Sequence, residues 1–579
     1  MYKTHHNNEL NVNNLNQTVS LVGWVAKRRN LGSLVFIDLR DREGITQVVC
    51  DDLLLESVKD VRNEYLLKVE GDVRLRKDAN PKLQTGEIEV IAKKVEIINK
   101  AELTPLMIQD DTDALEEIRL KYRYLDLRRP MMQDKLIKRA KIVQTMRTFL
   151  DTNGFIDIET PMLTKSTPEG SREYLVPSRV HAGQFYALAQ SPQIFKQMLM
   201  IAGFERYYQI ARCFRDEDLR ADRQLDFTQV DIEASFLNEA EFQALIEEMV
   251  TQVMVQVLHQ EKPNFIKMPY AVAMNEYGSD KPDIRFELKL QDISACFKQS
   301  EFVVFKNALA LKDGLIKALR VKNCAHFSRK ETDALTEVAK HNGASGLVVL
   351  KYVNQALEGS VLKFFSEAEK QALISTLKLE ENDLILITAG AYEKACTALG
   401  SVRLALRDQL NLVQKDDFKY LWVVDFPLFE FNEESQRLVA RHHPFTRPKD
   451  EDLPLLKSDP LAVKASAYDL VLNGFEVAGG SLRIYDQEVQ KTLFELIGFT
   501  DQQIHDRFGF FIDAFSYGTP PHGGIAFGLD RFSMVLTQSD SIRDVIAFPK
   551  VASARCPLTD APSFVEDKQL NELHLQIKV

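Results

Sequence analysis

The stretch FRDEDLRADRQLDFTQVDIEASF, residues 214–236, joins two halves of opposite character. Seven of the nine residues 215–223 are charged. The second half alternates like a strand, with Phe227, Gln229, Asp231 and Glu233 on one face and Thr228, Val230, Ile232 and Ala234 on the other. A sheet that buries carboxylates must supply cations or hydrogen-bond donors for them. The upstream run YYQIARCF (207–214) reads as an antiparallel partner strand, so the unit is a hairpin with a polar floor. A solvated hairpin tip is the ordinary reading of such a charge run. Against it, Arg215 stands at a strand end, on the parity that places it near Gln229 and Asp231. A guanidinium fork held there can clamp a phosphate or a carboxylate.

Four other segments carry polar groups in apolar settings. HGGIAFGLDRF (522–532) combines glycines that permit close backbone approach with Arg531 at the start of an apolar helix, where it can meet a phosphate or stack on a base. AYDLVLNGFEVAGGSLRIYD (467–486) places Asp469 and Glu476 in strand-like surroundings, followed by Arg483. Hard carboxylate oxygens suit Mg²⁺ on nucleotide phosphates, although either acid alone reads as a salt-bridged strand residue. Glu169, Gln193 and Lys196 lie beside buried-looking runs; a lysine on an apolar helix ordinarily snorkels to water. ARHHPFTRP (440–448) offers His442 and His443, but no third ligand at helical spacing supports a metal pair, and an anion-sensing loop is the better reading.

Outward from these segments, residues 18–98 hold five short strands separated by turn signals, the pattern of a small oligonucleotide-binding (OB) barrel. A helix is expected over 131–152. Residues 286–415 read as a separate α+β insert. Its runs EFVVF, IKALRV, GLVVLKYV and DLILITAG read as strands, and two of its helices open on the capping boxes Ser328–Glu331 and Ser366–Glu369. None of the candidate site residues falls in it. The boundaries expected are 1–104 for the barrel, 105–130 for a hinge, 131–285 and 416–579 for a discontinuous catalytic domain, and 286–415 for the insert.

The 579 residues carry a net charge of -11, yet the first hundred hold 16 Lys and Arg against 15 Asp and Glu. An acidic total disfavours indiscriminate nucleic-acid coating but leaves local patches open. The six cysteines are scattered without a CxxC pair, which disfavours a disulfide scaffold and a zinc site. With no apolar leader and no membrane-length apolar run, a cytoplasmic location is expected.

Taken together, the segments closely resemble class II aminoacyl-tRNA synthetases of the aspartate/asparagine/lysine subgroup, in their bacterial aspartyl branch. GFIDIETP (154–161) resembles that class's motif 1, a homodimer contact. FRDEDLRADRQLDFTQVDIE resembles motif 2 and GGIAFGLDR motif 3. The resemblance spans essentially the whole chain. It implies a multidomain α+β and β fold: an N-terminal OB barrel that binds the anticodon, an antiparallel-sheet catalytic domain, and an inserted α+β module.

It also implies a reaction in which L-aspartate and ATP form aspartyl-adenylate, whose aspartyl group then passes to tRNA-Asp. Arg215 would contact the α-phosphate and the substrate carboxylate, and Phe227 and Arg531 would sandwich adenine. Asp216, Glu217, Gln224, Gly528, Leu529 and Asp530 would complete the ATP site, and Asp469 and Glu476 would hold Mg²⁺. Glu169, Gln193 and Asp231 would receive the substrate ammonium or order its surroundings. Lys196 and Arg483 would grip the side-chain carboxylate, with His442 closing over it. Arg29, Phe36 and Gln47 would meet anticodon bases, although Phe36 by itself reads as a core residue of LVFIDLRD. Leu31, where relaxed members of the family tend to carry His, points to an enzyme that charges tRNA-Asp only. An asparaginyl enzyme shares the three motifs, but two cations, Lys196 and Arg483, would leave excess charge around a neutral amide. An idle nucleic-acid-binding paralogue would be expected to have lost Arg215, Glu476 or Arg531.

Overall fold

The computed structural model describes residues 2–167 and 172–578, so Glu169 lies outside the described residues. The chain divides into two compact units. One holds 1–140, 218–221 and 543–565; the other holds 141–217, 222–542 and 566–579.

In the first unit, strands Thr18–Leu31, Leu34–Arg40, Ile45–Cys50, Leu66–Leu75 and Ile88–Asn99 close into a barrel in the order first, second, third, fifth, fourth. Their alternation closes it: Val19, Leu21, Val25, Val35, Ile37 and Leu39 fill the interior. A bulge between Val25 and Lys27 lets the long first strand curve while pairing with both neighbours. This phase turns Phe36 outward, half-buried between inward-facing Val35 and Ile37, so it is not a core residue. The buried guanidinium of Arg123 donates to the carbonyls of Arg543, Ile546 and Ala547 at 2.6, 2.9 and 2.9 Å, which ties the segment 543–565 to this unit.

The second unit is built on an eight-stranded sheet. Its order is Phe265–Pro269, Tyr420–Val424, Ala467–Leu472, Phe475–Leu482, His522–Gly528, Asp226–Ser235, Arg206–Phe214 and Ile156–Asp157. Only the two outermost pairs are parallel. The central strand Asp226–Ser235 is buried on both faces, the polar one included. The expected long helix is Pro130–Thr152.

The insert has its own five-stranded sheet, in the order Gln291–Asp292, Gly314–Val321, Asp383–Ala391, Val348–Val353, Ala356–Glu358. Both expected capping boxes form. EFVVF (301–305), expected as a strand, instead opens the helix Val303–Leu309. The β-branched run lost to a helical spacing: Phe305 and Ala308, three residues apart, are the buried positions. Among the described residues, no helix is long and apolar enough to cross a membrane.

Candidate active site

The hairpin pairs as the alternation requires, with Gln209 opposite Asp231 and Cys213 opposite Phe227. On its other edge, Asp226–Ser235 runs beside His522–Gly528, which sets Glu233 opposite Gly524. That glycine is a steric requirement: a Cβ there would stand 1.7 Å from Glu233 Oε2. Above this floor opens a cavity of about 430 Å³. Gln193, Lys196, Arg215, Asp231, Arg483 and Arg531 reach it. So do Glu217, Gln224, Phe227 and Gly528. Asp530 lines it too, and its carboxylate takes the backbone N–H of Thr228 at 2.9 Å, which ties the helix Leu529–Leu536 to the floor strand. Asp216 and Leu529 are not in its lining; Asp216 pairs through its backbone with Arg172, and Leu529 is buried in its helix.

One end of the cavity is an ionic pocket. Lys196 does not snorkel. It is 1% exposed, 2.7 Å from Asp231 Oδ1 and 3.4 Å from Glu233 Oε2. Arg483, 2% exposed, grips Glu233 with Nε and Nη2 at 2.9 and 3.1 Å, and its Nη1 donates to His443 Nε2 at 2.7 Å. Burial works to raise the Glu233 carboxyl, but Arg483 and then Lys196 outweigh it and hold it below the ordinary range. Burial, opposed by Lys196, leaves Asp231 above that range. Burial, with Arg483 beside it, pushes His443 far down, as an imidazole accepting from a guanidinium requires. Two cations and two carboxylates thus balance, and the pocket has no excess positive charge of the kind the sequence suggests. Glu233 and His443 are site residues to which the sequence reading assigns no role. The alternation of 227–233 carries the signal for Glu233; nothing local separates His443 from His442.

The other end suits a nucleotide. The Arg215 guanidinium lies 5.2 Å from the Phe227 ring centroid, and Gln229 and Asp231 line the same cavity. Register puts it there: Cys213 pairs with Phe227, and Arg215, two residues further on, shares that face. Arg531 donates to the Glu476 carbonyl at 2.6 Å and lies 3.2 Å from Asp222. Asp469 and Glu476 sit on adjacent strands with a bulge between them. A Cβ on Gly479 would stand 3.0 Å from Asp469 Oδ1 and 3.5 Å from Glu476 Oε1, so both acids face one small space. Asp469 Oδ1 is buried with no hydrogen-bond partner among the described residues. Burial, and next the Asp469 charge, hold Glu476 above the ordinary carboxylate range. Two hard, mutually repelling carboxylates fit a divalent cation. Among the described residues no three His, Cys, Asp or Glu are placed to hold a metal together, so such a cation would need ligands from the substrate or water as well. His442 turns toward this end, with Nε2 3.7 Å from Asp469 Oδ2.

In the barrel, Arg29 is paired with Phe36 across the first two strands, and Leu31 with Leu34 at the hairpin tip. Arg29 Nη2 donates to Asp38 at 2.9 Å and to Gln47 at 3.2 Å, and Gln47 donates to Glu89 at 2.7 Å. An outward aromatic ring beside a polar network is the usual means by which such barrels bind splayed bases. Leu31 is 67% exposed.

Residues 115–552 match the family described as tRNA synthetases class II (D, K and N), and residues 19–98 match the OB-fold nucleic acid binding domain. The chain is 52% identical over 582 residues to the aspartate–tRNA(Asp/Asn) ligase of Caldanaerobacter subterraneus subsp. tengcongensis, covering 99% of this chain and 98% of the relative. It is 53% identical over 585 residues to the aspartate–tRNA(Asp/Asn) ligase of Bacillus cytotoxicus and 52% identical over 585 residues to the aspartate–tRNA ligase of Geobacillus kaustophilus, in both cases covering 100% of this chain and 99% of the relative. Its fold is similar to that of the asparaginyl-tRNA synthetase of Pyrococcus horikoshii solved with asparaginyl-adenylate. That TM-score is 0.61 at 17% identity, over 95% of this chain and 99% of the other.

Proposed function

We propose a two-step reaction for this chain, which belongs to the class II tRNA synthetases of the D, K and N group. It is an aspartate–tRNA ligase: aspartate and ATP form aspartyl-adenylate and pyrophosphate, and the aspartyl group passes to tRNA. The observation that carries the residue roles is a set of buried polar atoms converging on one cavity without partners among the described residues. They are Gln193 Nε2, Asp231 Oδ2, Arg215 Nε, Arg531 Nε and Asp469 Oδ1.

In this reading Asp231 receives the substrate ammonium through Oδ2, and Gln193, whose unpartnered atom is a donor, orders its surroundings. Lys196 and Arg483, already fixed by Asp231 and Glu233, meet its side-chain carboxylate. Phe227 and Arg531 enclose adenine. Arg215 orients the α-carboxylate and α-phosphate toward each other. A carboxylate oxygen attacks the α-phosphorus, the bond to the bridging oxygen breaks, and pyrophosphate leaves. No protein base is needed, because the nucleophile is already ionised; positioning and charge neutralisation do the work. Mg²⁺, when bound at Asp469 and Glu476, supplies charge neutralisation on the phosphates. A terminal ribose hydroxyl of the tRNA then attacks the anhydride carbonyl and AMP leaves. The motif 1 segment 154–161 serves as a homodimer contact, and the enzyme works in the cytoplasm. The boundaries at 104, 130, 285 and 415 belong to the same reading. ATP–pyrophosphate exchange tests it: aspartate should support exchange and asparagine should not. Exchange with asparagine at comparable efficiency would overturn the amino acid assignment.

For tRNA scope, exposed Leu31 favours tRNA-Asp alone, because an aliphatic tip offers a base only shape. A second reading, that tRNA-Asn is charged too, is favoured by the relatives named for both tRNAs. Parallel aminoacylation of the two transcripts separates them. On the strict reading, tRNA-Asn is charged about ten- to a hundredfold less efficiently, the roughly 1–3 kcal/mol that one side chain supplies in base discrimination. Leu31→His should then narrow the gap. Equal charging by the unaltered enzyme would establish the wider scope.

A further inference from the structure

The insert supplies none of the residues that line the cavity, yet it is fastened to the helix Tyr270–Tyr277, which adjoins the edge strand Phe265–Pro269. Fully buried Lys317 donates to Asn275 Oδ1 at 2.6 Å and to the Asn275 carbonyl at 3.1 Å. Arg403, also buried, donates to the carbonyls of Asp283, Phe286 and Leu288 at 2.9, 2.8 and 2.5 Å, which clasps the insert's exit helix to its entry segment. At the other end of the helix, Tyr270 touches the loop 440–448. The Arg441 guanidinium lies 4.6 Å from its ring centroid, and the Phe426 ring is 5.2 Å away. Phe426 packs edge-on against His442 at 4.7 Å, and His442 reaches Asp469. Arg441 is held on its other side by Glu430 at 3.0 Å and lies 3.9 Å from Asp280 in the entry segment.

We propose that Tyr270 and Arg441 are positioning residues for the Asp469–Glu476 carboxylate pair, so that the insert, through helix Tyr270–Tyr277, sets how firmly the site holds the metal-bound phosphates of ATP. This rests on the reading of that pair as the cation site. Tyr270 is the common support of Arg441 and Phe426. Without its ring, Phe426, which packs against His442, loses one of its supports, and the aim of His442 at Asp469 loosens. The aspartate end is fixed separately, since Arg483 keeps its two bonds to Glu233.

The test uses the full chain, with Mn²⁺ and the α,β-methylene analogue of ATP as the probe, and bound Mn²⁺ read by electron paramagnetic resonance. Tyr270→Leu should weaken Mn²⁺ binding about tenfold and raise the Mg²⁺ needed for half-maximal exchange by a similar factor, with the aspartate KM within about twofold. Tyr270→Phe should restore both values. Arg441→Leu should act in the same direction as Tyr270→Leu if that variant folds poorly. A folded leucine variant with unaltered Mn²⁺ affinity would overturn the inference. So would an equal shift in Mn²⁺ affinity and aspartate KM, which marks general loosening. Intact Mn²⁺ binding by Asp469→Asn would instead overturn the cation site itself, and a wild-type enzyme without aspartate-dependent exchange would overturn the reaction.

Discussion

Arg483→Leu is expected to lower aspartate activation roughly a hundredfold and to destabilise the fold by about 3–5 kcal/mol. The two effects have separate causes. Activation falls because the substrate carboxylate loses a guanidinium partner. Stability falls because Glu233, with 0% exposure, is left as a buried anion whose one remaining ion-pair partner among the described residues is Lys196 at 3.4 Å. The double variant Arg483→Leu/Glu233→Gln should therefore recover much of the stability and none of the activity. The KM for ATP should change little in either, because Arg483 lies at the amino acid end. Denaturant unfolding and pyrophosphate exchange read the two effects independently. Near-normal aspartate activation in the single variant would remove Arg483 from the site. Equal stability of the single and double variants would show that Glu233 does not depend on it.

This coupling also shows how far the sequence can be read. Period-two alternation from Phe227 to Glu233 is enough to place a polar strand under a site, since only one register puts four such residues on one face. The barrel is legible from five alternating strands at short spacing, and both capping boxes of the insert from side-chain chemistry within three residues. These are local facts. EFVVF misleads because strand preference and helical spacing compete over five residues, and the ring contacts of Phe305 come from outside the run, from Phe297 and from Phe365, which is distant in the chain.

The site is legible as a set of residues and less so as a set of pairs. Phe36 shows the limit for a single residue: LVFIDLRD is apolar enough for a core, and only the phase of the barrel turns the ring outward. Lys196 and Arg483 show it for charge. Two cations in sequence look like an unbalanced clamp, because the carboxylates that neutralise them arrive from a strand 35 and 250 positions away. A preference for an anionic side chain thus cannot be read from the cations alone; it depends on how far each is already compensated. Adjacent His442 and His443 face opposite ends of the cavity, one toward Asp469 and one toward Arg483, a division that no periodicity announces.

Glu476→Gln is expected to cut pyrophosphate exchange by about a thousandfold, the scale of losing a group that fixes charge in a phosphoryl-transfer site. The same substitution should stabilise the free protein by about 1 kcal/mol. The opposite signs come from one geometry. Glu476 and Asp469 face a common space over Gly479, and burial together with the Asp469 charge makes a second negative charge there unfavourable. Glutamine keeps the shape and removes the repulsion, so the fold gains what the site loses. Ligand linkage gives the decisive readout. Wild type should melt higher when Mg²⁺ and ATP are added together, by the mass-action gain of a ligand that binds only the folded state. The variant should start higher and gain little. A Glu476→Gln protein that melts below wild type without ligand would mean that this carboxylate serves the fold, and a full ligand-induced gain in the variant would move the cation site away from Glu476.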